Sequence, residues 1–431
     1  MKKIIAKIKK LLKIAGPGVI TGAADDDPSG IATYTQTGAQ FGYSQLWATI
    51  GILPFLVATQ EACARIGAVT GQGLAAVIKK NYNKKILFFA VALVVLANTI
   101  NIGADIGAMA EAAQLIIPVN FTILALVFTS LILVLEIFVP YKNYSKILKW
   151  LVIALLSYPI TVFLVREPWL LILKNTFVPN IQFDFNFFFI ITGVLGTTIS
   201  PYMFFWEASE EVEEEKIKHI WRRNLFPRGL KKFLHNLQID NFVGMLFSNL
   251  AAWCIIVLAA TVLHSNGITD VANAADAARA LEPLVNTFPN AGLLAKIIFA
   301  VGIIGLGLLA VPVLSGSASY AMSEAFGWNE GLNHRFRKAQ HFYGVIIVAT
   351  LIGLIINFIG IDPIKALVFT AVFNGVVSVP LLFLIAKIAR SEKIMGEYRS
   401  GGVSNFLVWG TFAVMALSSI IMFYTLGRSL F

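Results

Sequence analysis

Stretches of about 20 apolar residues recur along nearly the whole chain, each long enough to cross the roughly 30 Å hydrocarbon core of a bilayer as a helix. The 431 residues are 57% hydrophobic and only 13% charged, a composition that excludes a soluble globular protein of this length. Lipid cannot satisfy an open backbone, so such a chain must span the membrane as helices. The sequence therefore predicts an all-α polytopic membrane protein.

Eleven spans are expected, and the basic residues orient them. With a cytoplasmic N-terminus, all but six of the 34 Lys and Arg residues fall on the inner side. The positive-inside rule then places the C-terminus outside the cytoplasm, in a cell inner membrane or plasma membrane. The predicted spans are residues 17–43, 45–66, 85–116, 120–140, 147–165, 186–208, 240–264, 292–324, 341–360, 363–389 and 405–427.

The net charge of +10 is explained by this orientation and by contact with anionic lipid, so no nucleic-acid partner is implied. Residues 1–16 are basic and amphipathic, which predicts a cytoplasmic surface helix. Cys63 and Cys254 lie in apolar spans without metal-type spacing, and we expect them to be packing residues. We also expect a monomer that needs no cofactor.

Two predicted spans carry helix breakers near mid-depth. The first contains "TGAADDDPSGIATY" (21–34) and the sixth contains "GTTISPYM" (196–203). Such breaks survive in a bilayer only where the freed backbone groups line protein or a watery cavity. The two interrupted spans are five spans apart. Because five is an odd number, a second group of five spans would cross the membrane in the opposite orientation to the first, as in many secondary transporters. The pattern predicts a 5+5 inverted repeat (17–165 and 186–389) followed by an eleventh span (405–427).

Three consecutive carboxylates, Asp25, Asp26 and Asp27, stand at the first break. Charge at this depth is costly unless an opposite charge is supplied. A carboxylate beside unwound carbonyls makes an all-oxygen site, which suits hard cations such as Mg²⁺, Ca²⁺ or Mn²⁺. We expect Asp27, next to the break, to hold the ion, and Asp25 and Asp26 to lie in the aqueous vestibule or to bond helix-end amides. The sequence thus predicts cation transport.

Residues 16–47, "GPGVITGAADDDPSGIATYTQTGAQFGYSQLW", resemble the first span of the NRAMP family (natural resistance-associated macrophage proteins), whose members typically have Asp-Pro-Gly-Asn at the break. The similarity continues through "IGAVTGQGLA" (66–75) and the eleven-span layout. It implies a LeuT-like fold and, for most members, proton-coupled uptake of Mn²⁺ or Fe²⁺. Carried onto this chain, it implies metal contacts from Asp27, Ser200 and the carbonyls of Ala24 and Thr197, with Gly30 where members have Asn.

The resemblance is incomplete at the sixth-span break, where members of the main branch have Met-Pro-His. Here the break has Ser200, Pro201 and Tyr202, so the soft Met thioether that favours transition metals is missing. Fewer ligands leave room for water, which Mg²⁺ gives up reluctantly. In this respect the chain is similar to the NRAMP-related magnesium transporters, which implies transport of Mg²⁺ with Mn²⁺ also accepted.

The resemblance also implies that some of the side chains that relay protons in coupled members of the family are missing from this chain. The third span keeps Asp105, but Ala108 stands where a second carboxylate is usual, and none of the five histidines lies in mid-span. We therefore predict alternating-access uptake driven by the membrane potential and not coupled to protons. The residues expected around the site or along the ion pathway are Asp25, Asp26, Asp105, Tyr202, Glu207, Asn374 and Ser378.

Other functions remain open at this stage. A proton-coupled Mn²⁺/Fe²⁺ importer of the main NRAMP type is one. A sodium-coupled transporter of small solutes is another, because a LeuT-like fold does not determine the substrate. An intramembrane aspartyl protease would need Asp27 and Asp105 to meet, and neither lies in a protease motif, so we predict that the protein is not an enzyme.

Overall fold

The computed structural model describes residues 17–139, 156–165, 167–218, 228–286, 288, 290–332 and 334–430. Throughout these ranges every regular element is a helix, as predicted, and no strand occurs. The tail at residues 1–16 and residues 147–155 of the predicted fifth span lie outside the described residues.

Eight helices in the described ranges are long and apolar enough to cross a membrane. The ninth predicted span is a shorter apolar helix, Gln340–Ile356, and Ser157–Leu164 is the described helix of the fifth. Short helices at Leu74–Asn81, Trp169–Phe177, Ala274–Arg279, Glu282–Val285 and Glu392–Met395 lie between spans. The eight long segments, of which Phe185–Glu215 is interrupted, are Trp47–Thr70, Lys84–Gln114, Phe121–Phe138, Phe185–Glu215, Gly229–Asn266, Ala291–Phe326, Pro363–Arg390 and Gly402–Arg428.

The first span is broken where the sequence places Asp27 and Pro28. In the predicted topology, its inner half is Pro17–Asp25 and its outer half is Pro28–Phe41. Asp27 is the N-cap of the outer half, and its side chain accepts a hydrogen bond from the Gly30 amide. Pro28 occupies the first helical turn, where its missing N–H costs nothing. Local chemistry alone therefore starts a new helix at mid-depth.

The sixth span is broken between Phe185–Thr198 and Pro201–Lys218. Pro201 disfavours a helical conformation at Ser200, the residue before it. Ile199, the C-cap residue of the first half, has already left the helical region, with φ −119° and ψ 67°. The Ser378 hydroxyl of the tenth span donates to the freed Ile199 carbonyl at 2.8 Å, so a neighbouring helix satisfies the break. Both predicted interruptions are confirmed.

Glycine allows the sixth and tenth spans to approach closely. A Cβ atom at Gly196 would collide with the Ala371 carbonyl and with the backbone of Gly375. Small residues permit this kind of backbone contact between membrane helices. The contact holds the first half of the sixth span against the tenth span, one turn before the break.

We expect Gly196→Ala to lower the melting temperature of the detergent-solubilised protein, because the added methyl group meets backbone that cannot move aside. Overpacking of this kind costs about 1–3 kcal/mol. Gly51→Ala is the matched control, since a Cβ at Gly51 of the second span meets nothing within 4 Å. Equal melting temperatures for the two variants would contradict this account of the packing.

Candidate functional site

The two breaks lie against each other inside the protein. Ser29 Oγ is 3.4 Å from Thr197 Oγ1, and the hydroxyls of Tyr34 and Thr198 share a hydrogen bond of 2.9 Å. Both contacts join the outer half of the first span to the first half of the sixth. Residues far apart in the sequence are thereby brought to one polar site, as the broken-helix pattern predicts.

The Asp27 carboxylate is the centre of this site and is only 1% exposed. Its Oδ1 accepts hydrogen bonds from Ser29 Oγ at 2.6 Å and from the Gly30 amide at 2.8 Å. Its Oδ2 accepts one hydrogen bond, from Asn101 Nδ2 at 3.0 Å. A carboxylate oxygen has two lone pairs, so Oδ2 can also bind a cation. Gly30, expected among the metal contacts, instead supplies an amide that holds Asp27.

The third span contributes a residue that the sequence analysis missed. Asn101 contacts Asp27, and Asp105 lies four residues further along the same helix, hence on the same face. Both side chains are fully buried, and Asp105 is within Coulombic range of Asp27. The spacing of Asn101 and Asp105 in "NIGADIG" was the signal available in the sequence.

Hydroxyl groups cover the carbonyls at the two breaks. The Tyr202 hydroxyl donates to the Ala24 carbonyl at 2.9 Å, and Ser200 Oγ donates to the Thr197 carbonyl at 2.9 Å and to the Gly196 carbonyl at 2.6 Å. Ala24, Thr197 and Ser200 were expected to contact the ion. In this conformation the Ala24 and Thr197 carbonyls each accept a hydrogen bond from a hydroxyl and keep a second lone pair.

The expectation for Asp25 and Asp26 is wrong. Neither carboxylate lies in an aqueous vestibule, since both are at most 1% exposed. Nor do helix-end amides bind them among the described contacts. Ser248 of the seventh span donates to Asp25 Oδ2 at 2.5 Å and to Asp26 Oδ1 at 3.3 Å. The seventh span packs against the inner half of the first span and so encloses these two carboxylates.

The remaining predicted residues lie on the flanks of the breaks. Ser378 supports the sixth-span break, and Asn374, one turn away on the tenth span, is 1% exposed. The Asn374 Nδ2 has no hydrogen-bond partner among the described residues. Glu207 is buried and accepts a hydrogen bond from the Thr21 hydroxyl. This contact ties the second half of the sixth span to the inner half of the first span.

Oxygen and amide groups dominate the site. Across the described ranges, no group of three or more His, Cys, Asp or Glu side chains is placed to hold a metal ion. Cys63 and Cys254 are free and buried in apolar clusters, as predicted. Carboxylate and amide oxygens are ligands that hard divalent cations prefer.

A family model described as natural resistance-associated macrophage protein-like matches residues 18–425. The chain belongs to the NRAMP family. The divalent metal cation transporter MntH of Ralstonia nicotianae is 25% identical to it, over 96% of this chain and 90% of the relative. MntH of Caldanaerobacter subterraneus is 24% identical, over 97% of this chain and 95% of the relative. The predicted resemblance is therefore confirmed along nearly the full length.

Solved structures agree with this NRAMP assignment at the level of the fold. The Eremococcus coleocola manganese transporter has a TM-score of 0.76 at 16% identity, covering 96% of this chain and 86% of that one. Mhp1, a nucleobase-cation-symport-1 family transporter, has a TM-score of 0.59 at 13% identity, over 96% and 90% of the two chains. The LeuT-like fold is confirmed. As an NRAMP member the protein is a membrane transporter and not an enzyme, which removes the protease alternative.

Where this NRAMP chain departs from the family motif, the structure shows what replaces it. Ser200, at the Met position of the main branch, turns its hydroxyl to carbonyls of its own span. Gly30, at the Asn position, has no side chain to offer. An amide does reach the carboxylate, but it comes from Asn101 on the third span.

Proposed function

We propose that this NRAMP protein carries divalent cations, Mg²⁺ as well as Mn²⁺, across a cell inner membrane or plasma membrane by alternating access and without proton coupling. The observation that carries the proposal is the buried Asp27 carboxylate at the break of the first span, with hydroxyl and amide groups as its hydrogen-bond partners. The N-terminus is cytoplasmic in this proposal, and residues 17–165 and 186–389 are the two repeats that move against each other.

The chemistry around Asp27 supports Mg²⁺ as a substrate. The Ala24 and Thr197 carbonyls each accept a hydrogen bond from a hydroxyl, so each has only one lone pair left with which to displace water from the ion. Mg²⁺ commonly binds through one or two carboxylates and keeps several waters. Without a thioether, the site also lacks the soft ligand that would favour Mn²⁺ or Fe²⁺ over Mg²⁺.

The positions of the histidines support transport without protons. His235, His264, His334 and His341 are all exposed, and His219 lies outside the described residues. Histidine is the side chain whose ordinary pKa suits a relay near neutral pH. None of these four imidazoles is among the hydrogen-bond partners of the buried Asp27 carboxylate.

Proton-coupled transport of Mn²⁺ is the second candidate. Manganese as the substrate is favoured by the relatives, which include a manganese transporter and several divalent metal cation transporters named MntH. A sodium-coupled transporter of organic solutes is the least favoured candidate. A solute with a carboxylate would be repelled by the buried carboxylate of Asp27.

We expect Mg²⁺ to compete with Mn²⁺ for uptake into proteoliposomes. The inhibition constant of Mg²⁺ should lie within about tenfold of the KM for Mn²⁺, since a site without a soft ligand separates the two ions by only about 1.4 kcal/mol. Protein-free liposomes give the background leak. Mn²⁺ uptake that is unaffected by a large excess of Mg²⁺ would favour the second candidate.

A further inference from the structure

The face of the third span that meets Asp27 carries buried oxygen atoms without partners. Asn101 Oδ1 and both carboxylate oxygens of Asp105 have no hydrogen-bond partner among the described residues. Both side chains are fully buried. Asn101 uses its Nδ2 to reach Asp27, which leaves its oxygen directed at no described donor. Three acceptor atoms on one helix face therefore lack a positive or hydrogen-bonding group.

Such an arrangement is unfavourable in the absence of a ligand. A buried polar group without a partner costs about 1–3 kcal/mol, and a buried unpaired charge costs more. Asp105 also lies within Coulombic range of Asp27, and two carboxylates repel each other in a low dielectric. A divalent cation between them would satisfy the free oxygens and remove the repulsion.

The carbonyls on the opposite wall of the site each already accept one hydrogen bond, which leaves each with one lone pair. The carbonyls of Ala24, Thr197 and Ile199 accept hydrogen bonds from Tyr202, Ser200 and Ser378 respectively. By contrast, Asn101 Oδ1 and the two Asp105 carboxylate oxygens on the third span accept no hydrogen bond among the described residues. A cation at Asp27 gains more by lying toward the third span.

We propose that the transported ion is held between Asp27 and the third span, with the Asn101 carboxamide oxygen as a direct ligand and the Asp105 carboxylate as a second anionic group that binds it directly or through a retained water. This inference rests on the proposed function, because it assigns ligands to the same cation site. Rotation of the Asn101 amide by 180° turns its oxygen toward the Asp27 side without moving the backbone. The third span then takes the place of the missing side-chain ligands at Gly30 and Ser200.

Substitutions at Asn101 show whether its side chain binds the ion or only donates a hydrogen bond that holds Asp27. Asn101→Ala removes both functions and should weaken Mn²⁺ binding to the purified protein at least about tenfold. Asn101→Asp, when ionised, cannot donate to Asp27 but supplies oxygen atoms, so it should bind Mn²⁺ at least as tightly as the parent protein. Asp105→Asn should weaken binding because it removes a charge. Binding is measured by isothermal titration calorimetry with Mn²⁺ and, separately, with Mg²⁺.

Asn357→Ala is the matched control. The Asn357 side chain also donates to the third span, at the Gly103 carbonyl 2.8 Å away, but it does so from the ninth span. We expect its Mn²⁺ affinity to equal that of the parent. If Asn101→Asp binds as weakly as Asn101→Ala, the amide serves only to hold Asp27 and the inference is wrong.

The anomalous-difference peak of Mn²⁺ in crystals of the parent protein gives an answer that does not depend on transport. The expected peak lies within bonding distance of Asp27 and Asn101. A peak bonded to Asp27 and to the Ala24 or Thr197 carbonyls would overturn the inference. If the parent binds Mn²⁺ at the third span but transports no Mg²⁺, the proposed substrate fails while this ligand assignment stands.

Discussion

Asp27→Asn should abolish uptake of both Mg²⁺ and Mn²⁺ while leaving the fold intact. The Asp27 carboxylate is buried, and it is the group that the proposed function places directly on the ion. Leaving a buried cation without its counter-charge costs about 3–5 kcal/mol, which lowers uptake at least roughly 100-fold. Asn is as good an N-cap as Asp, so the hydrogen bonds from Ser29 and Gly30 can persist. Uptake is measured in proteoliposomes with a metal-sensitive dye inside.

The chain offers a close control for this substitution. Asp362 also precedes a proline and caps a span, accepting hydrogen bonds from the amides of Ile364 and Lys365. It lies at the start of the tenth span, away from the breaks. Asp362→Asn should therefore retain parental uptake. Metal transport that survives in Asp27→Asn would remove Asp27 from the ion and end the proposed mechanism.

Uptake should follow the membrane potential and should not acidify the liposome interior. Each divalent ion that enters gains about 4.6 kcal/mol at an inside-negative 100 mV, twice the value for a single charge. At equilibrium this energy corresponds to a roughly 2,000-fold accumulation of the ion. The proposed lack of proton coupling rests on the exposed positions of the four described histidines and on Ala108 in the third span.

The measurement imposes a potassium diffusion potential with valinomycin and records internal metal and internal pH together. We expect faster Mg²⁺ and Mn²⁺ entry at inside-negative potentials, an unchanged internal pH, and no stimulation by an inward proton gradient alone. Asp27→Asn liposomes control for leak under the same potential. Proton entry in a fixed ratio to Mn²⁺ would instead place this protein with the proton-coupled members of its family.

The breaks in the first and sixth spans were predictable because their causes are local. Pro28 and Pro201 lack a backbone N–H, and Asp27 can cap the helix that follows it, whatever the rest of the chain does. The apolar spans were predictable for a similar reason, since the thickness of the bilayer determines the length that each needs. The position of Asp27 next to the break placed it at the site, and the family resemblance added Ser200 and the carbonyls of Ala24 and Thr197 as expected contacts.

The surroundings of Asp27 were not predictable in the same way. Asn101 reaches Asp27 only because the third span packs beside the break, and no local rule states which of its faces turns inward. The hydrogen bonds to the Thr197 and Ala24 carbonyls were not predicted, because a helix break seen in the sequence indicates only that carbonyls lose their helical partners. Whether a hydroxyl then covers them depends on the distance to Ser200 or Tyr202 after folding.

Asp25 and Asp26 show most clearly the difference between what the local sequence predicts and what the packing of distant helices decides. Their charge suggested an aqueous position, but the seventh span lies over them and Ser248 binds both. By itself, the sequence determined that this chain crosses the membrane as helices, that two of these helices are interrupted and that Asp27 stands at one interruption, because apolar length, proline and capping act over a few residues. Only the tertiary structure decided which side chains surround that carboxylate, because hydrogen bonds between spans depend on how distant helices pack.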